Sequence, residues 1–462
     1  MGQDKTKKEV MGYIIKNATL VNEGKTTLAS VVINGDKIAQ IVSGKDAINR
    51  VSTNDCVIDA EGLYLIPGII DEHVHFREPG LTQKADIFTE SRAAVAGGVT
   101  SFMDMPNTNP QTTTIELLEQ KFATAAQKSA ANYSFYLGAT NDNIEEIKKV
   151  DPKKVCGIKL FMGSSTGNML VNEDDALVRL FNESPCLIAA HCEDEQIIHE
   201  NTVCAKDLAS KGEVVADAGL HPFIRTTEAC YKSTSKAVDM ATRFGARLHI
   251  LHISTKSELT LFRNDIPLKD KKITAETCPH YLTFCDKDYD EKGFAIKCNP
   301  AIKMASDREI LRKAIVDGHI DTIGTDHAPH LWHEKMTDDY FTAKSGFPSV
   351  QNSLDVMLNL YHQGLISLEK IVELMCHNPA ILYQIKGRGF IREGYYADLA
   401  LIDLSKEKTI KNGDMLYKCG WTPYDGMKVK SQVTHTFVNG KLVYHDGKVE
   451  DNIFGKPLEF ER

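Results

Sequence analysis

The chain changes its hydrophobic rhythm twice. Over the first sixty residues apolar and polar positions alternate in short runs, "GYIIKNATLV", "TLASVVING", "KIAQIV" and "CVIDAEG". That is the period of half-buried strands. Asn34-Gly35 in "NGDK" predicts a hairpin, with the glycine supplying positive φ. The same style returns near the end, where "ADLALIDL" alternates and "VTHTFVNGKLVYHDGKV" brackets a second Asn-Gly. Two β-rich ends around a long middle predict one small β-sandwich domain built from residues 1–65 and 385–462.

Between them the rhythm alternates strand and helix. Eight apolar strand-like runs follow one another: "LIPGIIDEHVHF", "VTSFMDMP", "YSFYLGAT", "CGIKLFMG", "PCLIAAHCE", "RLHILHIS", "KITAETCPHYL" and "IDTIGTDHAPH". Helical stretches such as "KADIFTESRAAVAGG" and "SDREILRKAIVDG" separate them. This order predicts the α/β class and a (β/α)8 TIM barrel over residues 66–384, whose sites lie at the C-terminal ends of the strands.

Polar residues gather at those ends. In "DEHVHFREPG" strict alternation puts Asp71, His73, His75 and Arg77 on one face, with Glu72, Val74 and Phe76 on the other. An acid, two imidazoles and a guanidinium are costly to desolvate without an ion or ligand. The stretch reads as half of a metal site beside an anion clamp. Lys159 sits in "GIKLFMG", where burial would favour the neutral amine. A neutral lysine can take up carbon dioxide as a carbamate, able to bridge two metals; the competing reading is a lysine snorkelling to water or paired with a carboxylate. His191 ends "PCLIAAH" and His252 ends "RLHILH". His249, three positions earlier, is predicted to lie on the opposite strand face and pack toward the helices. Asp326 in "GTDHAPH" can bind a metal and exchange a proton with water. Four histidines, one aspartate and one carbamate make two sites sharing a bridge, suited to Zn²⁺ first and to Mn²⁺ or Co²⁺ as alternatives. A hydroxide bridging two such metals is a nucleophile at neutral pH, so the reaction class is hydrolysis, or its reverse, at a carbonyl or phosphoryl centre.

Composition narrows the partners. The 462 residues are 42% hydrophobic and 25% charged, enough for a large core. A net charge of −9 without a basic tract argues against nucleic acid or an anionic membrane as partner and leaves a small-molecule substrate. Eleven scattered cysteines without a Cys-x-x-Cys pair read as reduced thiols of a cytoplasmic protein. No apolar run approaches the about 20 residues that span a bilayer. The start "MGQDKTKKEV" has no secretory h-region; Gly2 and Thr6 fit a myristoylation pattern formally, but the stretch reads as an extension ahead of a domain beginning near Met11.

Over nearly its whole length the chain resembles the amidohydrolase superfamily and, within it, the dihydroorotases. "DEHVHFREPG" and "GTDHAPH" look like that family's two signatures. The resemblance implies that Arg77, Asn107 in "DMPNTNP" and His330 in "DHAPH" bind a substrate carboxylate. It further implies that Asn299 in "KCNPAIK" contacts the ring and that Gly346 in "SGFPS" offers backbone to the substrate. "GIKLFMG" matches the family's lysine branch, hence two Zn²⁺ bridged by carboxylated Lys159. "GSSTGN", from Gly163, departs from the pattern and reads as a lid. Asp71 would orient a metal ligand, and His280 would pack behind the metals. The implied reaction is the reversible cyclisation of N-carbamoyl-L-aspartate to L-dihydroorotate in pyrimidine synthesis, with Asp326 as general acid and base. The family also implies a homo-oligomer, dimer or tetramer; association with aspartate transcarbamoylase is compatible but not inferable from the sequence. Two rivals stand beside this reading. One is another cyclic amidase, acting on a hydantoin, dihydropyrimidine or allantoin, relatives that typically lack the arginine. The other is a non-catalytic homologue serving as an assembly partner.

Overall fold

The computed structural model describes residues 12–45, 55–163, 169–451 and 455–462. Eight parallel strands form one sheet in sequence order: β6 (Ile69–Val74), β7 (Val99–Asp104), β8 (Asn132–Gly138), β9 (Gly157–Met162), β10 (Ile188–Cys192), β11 (Leu248–Ile250), β12 (Ile273–Thr277) and β13 (Thr322–Ile323). The sheet closes where Val74 bridges His327 in parallel and His75 N donates to His327 O at 2.7 Å. This is the TIM barrel that the alternation predicted.

The chain ends build a second, nine-stranded sheet. β1 (Gly12–Asn22), β2 (Lys25–Asn34), β3 (Lys37–Ser43), β4 (Cys56–Asp59) and β5 (Tyr64–Pro67) join β14 (Leu399–Asp403), β17 (Gln432–Val438), β18 (Lys441–His445) and β19 (Lys448–Val449). A two-stranded ribbon, β15 (Lys408–Thr409) and β16 (Lys428–Val429), stands apart. The sheet buries its own cluster, including Ile15, Val31, Leu65, Leu399 and Phe437. Both Asn-Gly sites are hairpin turns: Gly35 has φ 60°, and Asn439 and Gly440 have φ 49° and 72°.

The run "LIPGIIDEHVHF" is divided between the two sheets. β5 pairs with β1 and β14, β6 with β7, and Gly68 is the crossing point. A Cβ there would lie 2.1 Å from Thr100 Oγ1, so only glycine lets the strands pass this closely. In the other direction, Trp421 reaches back to the barrel, its Nε1 donating to His330 O at 2.8 Å.

Local chemistry sets the helices. Asp86 caps Ile87–Ala96 by accepting from Thr89 N, and Thr226 caps Thr227–Phe244, which ends at Gly245 with φ 68°. Inside the barrel, below the strand tops, Ile70, Met103, Leu187, Ala189, Leu251 and Tyr383 form an apolar plug. All eleven cysteines are free thiols. No helix among the described residues is long and apolar enough to cross a membrane. The myristoylation pattern at Gly2 and residues 164–168 of the expected lid lie outside the described residues.

Candidate active site

A pocket of about 290 Å³ opens at the C-terminal ends of the barrel strands. His73, His75, Arg77, Asn107, Lys159, His191, His252, Asn299, Asp326, His330 and Gly346 all line it, so every site residue read from the sequence is brought to one cavity. A larger cavity of about 650 Å³, lined by Phe122, Lys154 and Phe460 among others, carries no converging imidazoles. Chemistry rather than size marks the site.

Two groups of donors converge in it. Asp326 Oδ1 lies 3.2 Å from His73 Nε2 and 3.1 Å from His75 Nε2. Across the pocket, His191 Nδ1 and His252 Nε2 are 2.9 Å apart. Lys159 belongs to the same wall, 1% exposed, with no carboxylate in ion-pair reach among the described residues. Burial lowers its pKa to about 7, so a substantial neutral fraction is available near neutrality. Burial works to raise the pKa of Asp326, but His73 and His75 outweigh it and hold the carboxylate well below its ordinary range.

Three of these positions leave their strands in the left-handed region: Arg77 at φ 65°, His252 at 44° and Asp326 at 47°. Non-glycine residues there carry about 1–3 kcal/mol of strain each, a cost that clusters at functional sites. Gly346, at φ 113°, has a different reason: a Cβ would lie 2.7 Å from Ala328 O.

The residue-64-to-443 stretch matches the model of the amidohydrolase family. The chain is 33% identical to a dihydroorotase of Methanosarcina mazei, over 96% of this chain and 95% of that one. It is 31% identical to an allantoinase of Deinococcus radiodurans, over 97% and 98%. The chain belongs to the amidohydrolase family. Among solved structures, the L-hydantoinase (dihydropyrimidinase) of Arthrobacter aurescens superposes with a TM-score of 0.91 at 28% identity, covering 97% of this chain and all of that one. This chain is a cyclic amide hydrolase of the family.

The donor set fits divalent metal. Donor atoms of His73, His75 and Asp326 all lie within 4.8 Å of one another and are buried. Nitrogen and carboxylate donors of this kind suit Zn²⁺. The supports fit as well. His73 Nδ1 bonds Glu276 Oε1 at 2.8 Å and His75 Nδ1 bonds Asn107 Oδ1 at 2.6 Å, which leaves both Nε2 atoms for a metal. His191 Nε2 lies 3.1 Å from Glu193, which Arg225 holds in place.

Three details depart from strict alternation. The β6–β7 register slips between Asp71 and Val74, which is a bulge. Glu72 therefore does not face the helices with Val74 and Phe76; it enters the barrel interior, its donor oxygens within 4.8 Å of Glu276 and His249. Burial and the Glu276 charge push its pKa well above the usual carboxylate range. His249 is also inside rather than toward the helices, because Ala189 pairs with it and its Nδ1 bonds Thr274 Oγ1 at 2.8 Å. His252 joins that same interior because its left-handed backbone breaks the count. Asp71, finally, binds no ligand ring: it accepts from His73 N, Thr325 N and Thr325 Oγ1, tying β6 to the exit of β13. Glu276 holds His73 instead, and a lone glutamate in "TAET" gives no sequence signal of that role. His280 packs on Tyr281 and Phe347, at ring distances of 4.1 and 4.9 Å.

Proposed function

We propose that the protein is a dihydroorotase, interconverting N-carbamoyl-L-aspartate and L-dihydroorotate. One observation carries the choice of substrate. Arg77 is 7% exposed, lines the pocket, and has no carboxylate in ion-pair reach among the described residues. Its Nε donates to Pro329 O at 3.1 Å, and its Nη2 lies 3.3 Å from His330 Nε2. A buried guanidinium without an ion-pair partner among the described residues calls for an anionic ligand, and a planar fork suits a carboxylate. Dihydroorotate carries one beside its cyclic amide; hydantoin and dihydrouracil do not.

His73, His75, Asp326, His191, His252 and a carboxylated Lys159 would hold two Zn²⁺, which act as Lewis acids toward the ring carbonyl and the attacking water. Arg77, Asn107 and His330 grip the carboxylate and set the ring's reach into the pocket. Asn299, whose Oδ1 is buried without a partner among the described residues, offers that oxygen to a ring N–H, and the Gly346 backbone lines the same side. In the hydrolytic direction Asp326 accepts the proton of the attacking water and delivers it to the leaving ring nitrogen; in cyclisation it runs the reverse.

The 0.91 TM-score with a hydantoinase favours a second reading, a cyclic amidase for rings without a carboxylate. The two separate in one assay of metal-replete protein on L-dihydroorotate, dihydrouracil, hydantoin and allantoin, beside a chelator-treated sample. Turnover of dihydroorotate alone, lost on chelation and restored by Zn²⁺, is the expected result. Preferred turnover of an uncharged ring would overturn the assignment.

A further inference from the structure

Lys84 follows the Arg77 turn, is 8% exposed and lines the same pocket. Its Nζ lies 3.0 Å from His330 Nδ1 and 3.1 Å from Glu334 Oε1. On the other edge of the ring, His330 Nε2 faces Arg77 Nη2 at 3.3 Å. The imidazole is held between two cations, neither of which can accept a hydrogen bond, with the Ser345 carbonyl as a backbone acceptor for its one N–H. A neutral imidazole has one acceptor nitrogen, so it can satisfy only one of them.

The distances choose between the two tautomers. Glu334 Oε2 is 3.5 Å from Nδ1 and already accepts from Leu331 N at 3.0 Å. The nearer partner of Nδ1 is the ammonium. With Nδ1 accepting from Lys84, Nε2 carries the proton and stands beside Arg77 as a second donor. An oxygen placed between them takes both hydrogens. In the opposite tautomer Nε2 would accept from Arg77, and the pair would be closed to a ligand. Glu334 pairs with Lys84, whereas Arg77 has no ion-pair partner among the described residues.

We propose that Lys84 is a positioning residue: it fixes His330 as the Nε2–H tautomer, so that imidazole and guanidinium donate together to the carboxylate of the substrate, and so sets the preference for a charged ring. The inference rests on the reading of this pocket as a dihydroorotate site, but its first readout does not need substrate.

The test is ¹⁵N NMR of histidine-labelled protein without substrate, assigned with His330→Gln, on wild type, Lys84→Met and Lys84→Arg. Wild type and Lys84→Arg should show Nε2–H, and Lys84→Met should move to Nδ1–H. Kinetics then follow on both rings. For Lys84→Met, KM for dihydroorotate should rise roughly 10- to 100-fold, the worth of a hydrogen bond to a charged group, with kcat unchanged within about threefold. Lys84→Arg should recover most of the loss, and any activity on dihydrouracil should be untouched. The double variant Lys84→Met/Glu334→Gln, which leaves no unpaired carboxylate, keeps the test open if the single variant folds poorly. An unchanged tautomer in either methionine variant, or an equal loss on both rings, overturns the proposal. A wild type that ignores dihydroorotate overturns the functional assignment instead, while the NMR still decides the role of Lys84.

Discussion

The upper and lower halves of the barrel interior come from the same strands and follow opposite rules. Below, Ile70, Met103, Leu187, Ala189 and Leu251 close on Tyr383 as an apolar plug. Above, one to three residues further along those strands, His73, His191 and His252 enter a pocket with Lys159 and Asp326. The lower half uses regular backbone and burial. The upper half accepts left-handed backbone at Arg77, His252 and Asp326 and crowds donors that repel or compete. Stability is thus concentrated where nothing reacts, and the strain sits where ligands would relieve it.

Substitutions in the two halves should separate activity from stability. The largest effect belongs to Asp326→Asn in the upper half. On the proposed mechanism it removes both a metal ligand and the proton carrier, and kcat should fall on the order of 10³-fold or more while the protein stays folded by circular dichroism. Leu251→Ala in the lower half should do the reverse. It opens a cavity costing about 2–5 kcal/mol in urea unfolding, with kcat of the folded enzyme nearly unchanged. Glu276→Gln lies at the border, since its carboxylate bonds His73 from inside the barrel. Zn²⁺ affinity by competition titration should weaken roughly 10- to 100-fold, the usual consequence of losing a partner behind a metal-binding histidine. If Asp326→Asn kept activity, or Leu251→Ala lost it without unfolding, the division of labour would be wrong.

How much of this the sequence discloses depends on distance along the chain. The barrel was legible because eight strand runs alternate with helices, and the upper half because its polar residues end those runs. The His73-x-His75 pair is a short-range signal that survives the bulge. Parity over a longer reach does not survive: Glu72 and His249 lie on the face opposite to the one strict alternation predicts, because a bulge and one left-handed residue shift the count. Glu276 and Lys84 escaped for another reason. Each acts on a residue far away in sequence, across 203 and 246 positions respectively, and a single charged side chain carries no mark of such a partner. The division of "LIPGIIDEHVHF" between two sheets is likewise a tertiary fact, enforced by the close approach at Gly68.

The central claim is that the upper half is built around an anionic ring, and Arg77 tests it most directly. The measurement is kcat/KM of wild type and Arg77→Met on L-dihydroorotate and on dihydrouracil. The account predicts a fall of roughly 10- to 150-fold on dihydroorotate, the worth of a charged hydrogen-bonding partner, and no loss on the uncharged ring. Full dihydroorotate activity in Arg77→Met, or an equal loss on both rings, would contradict it.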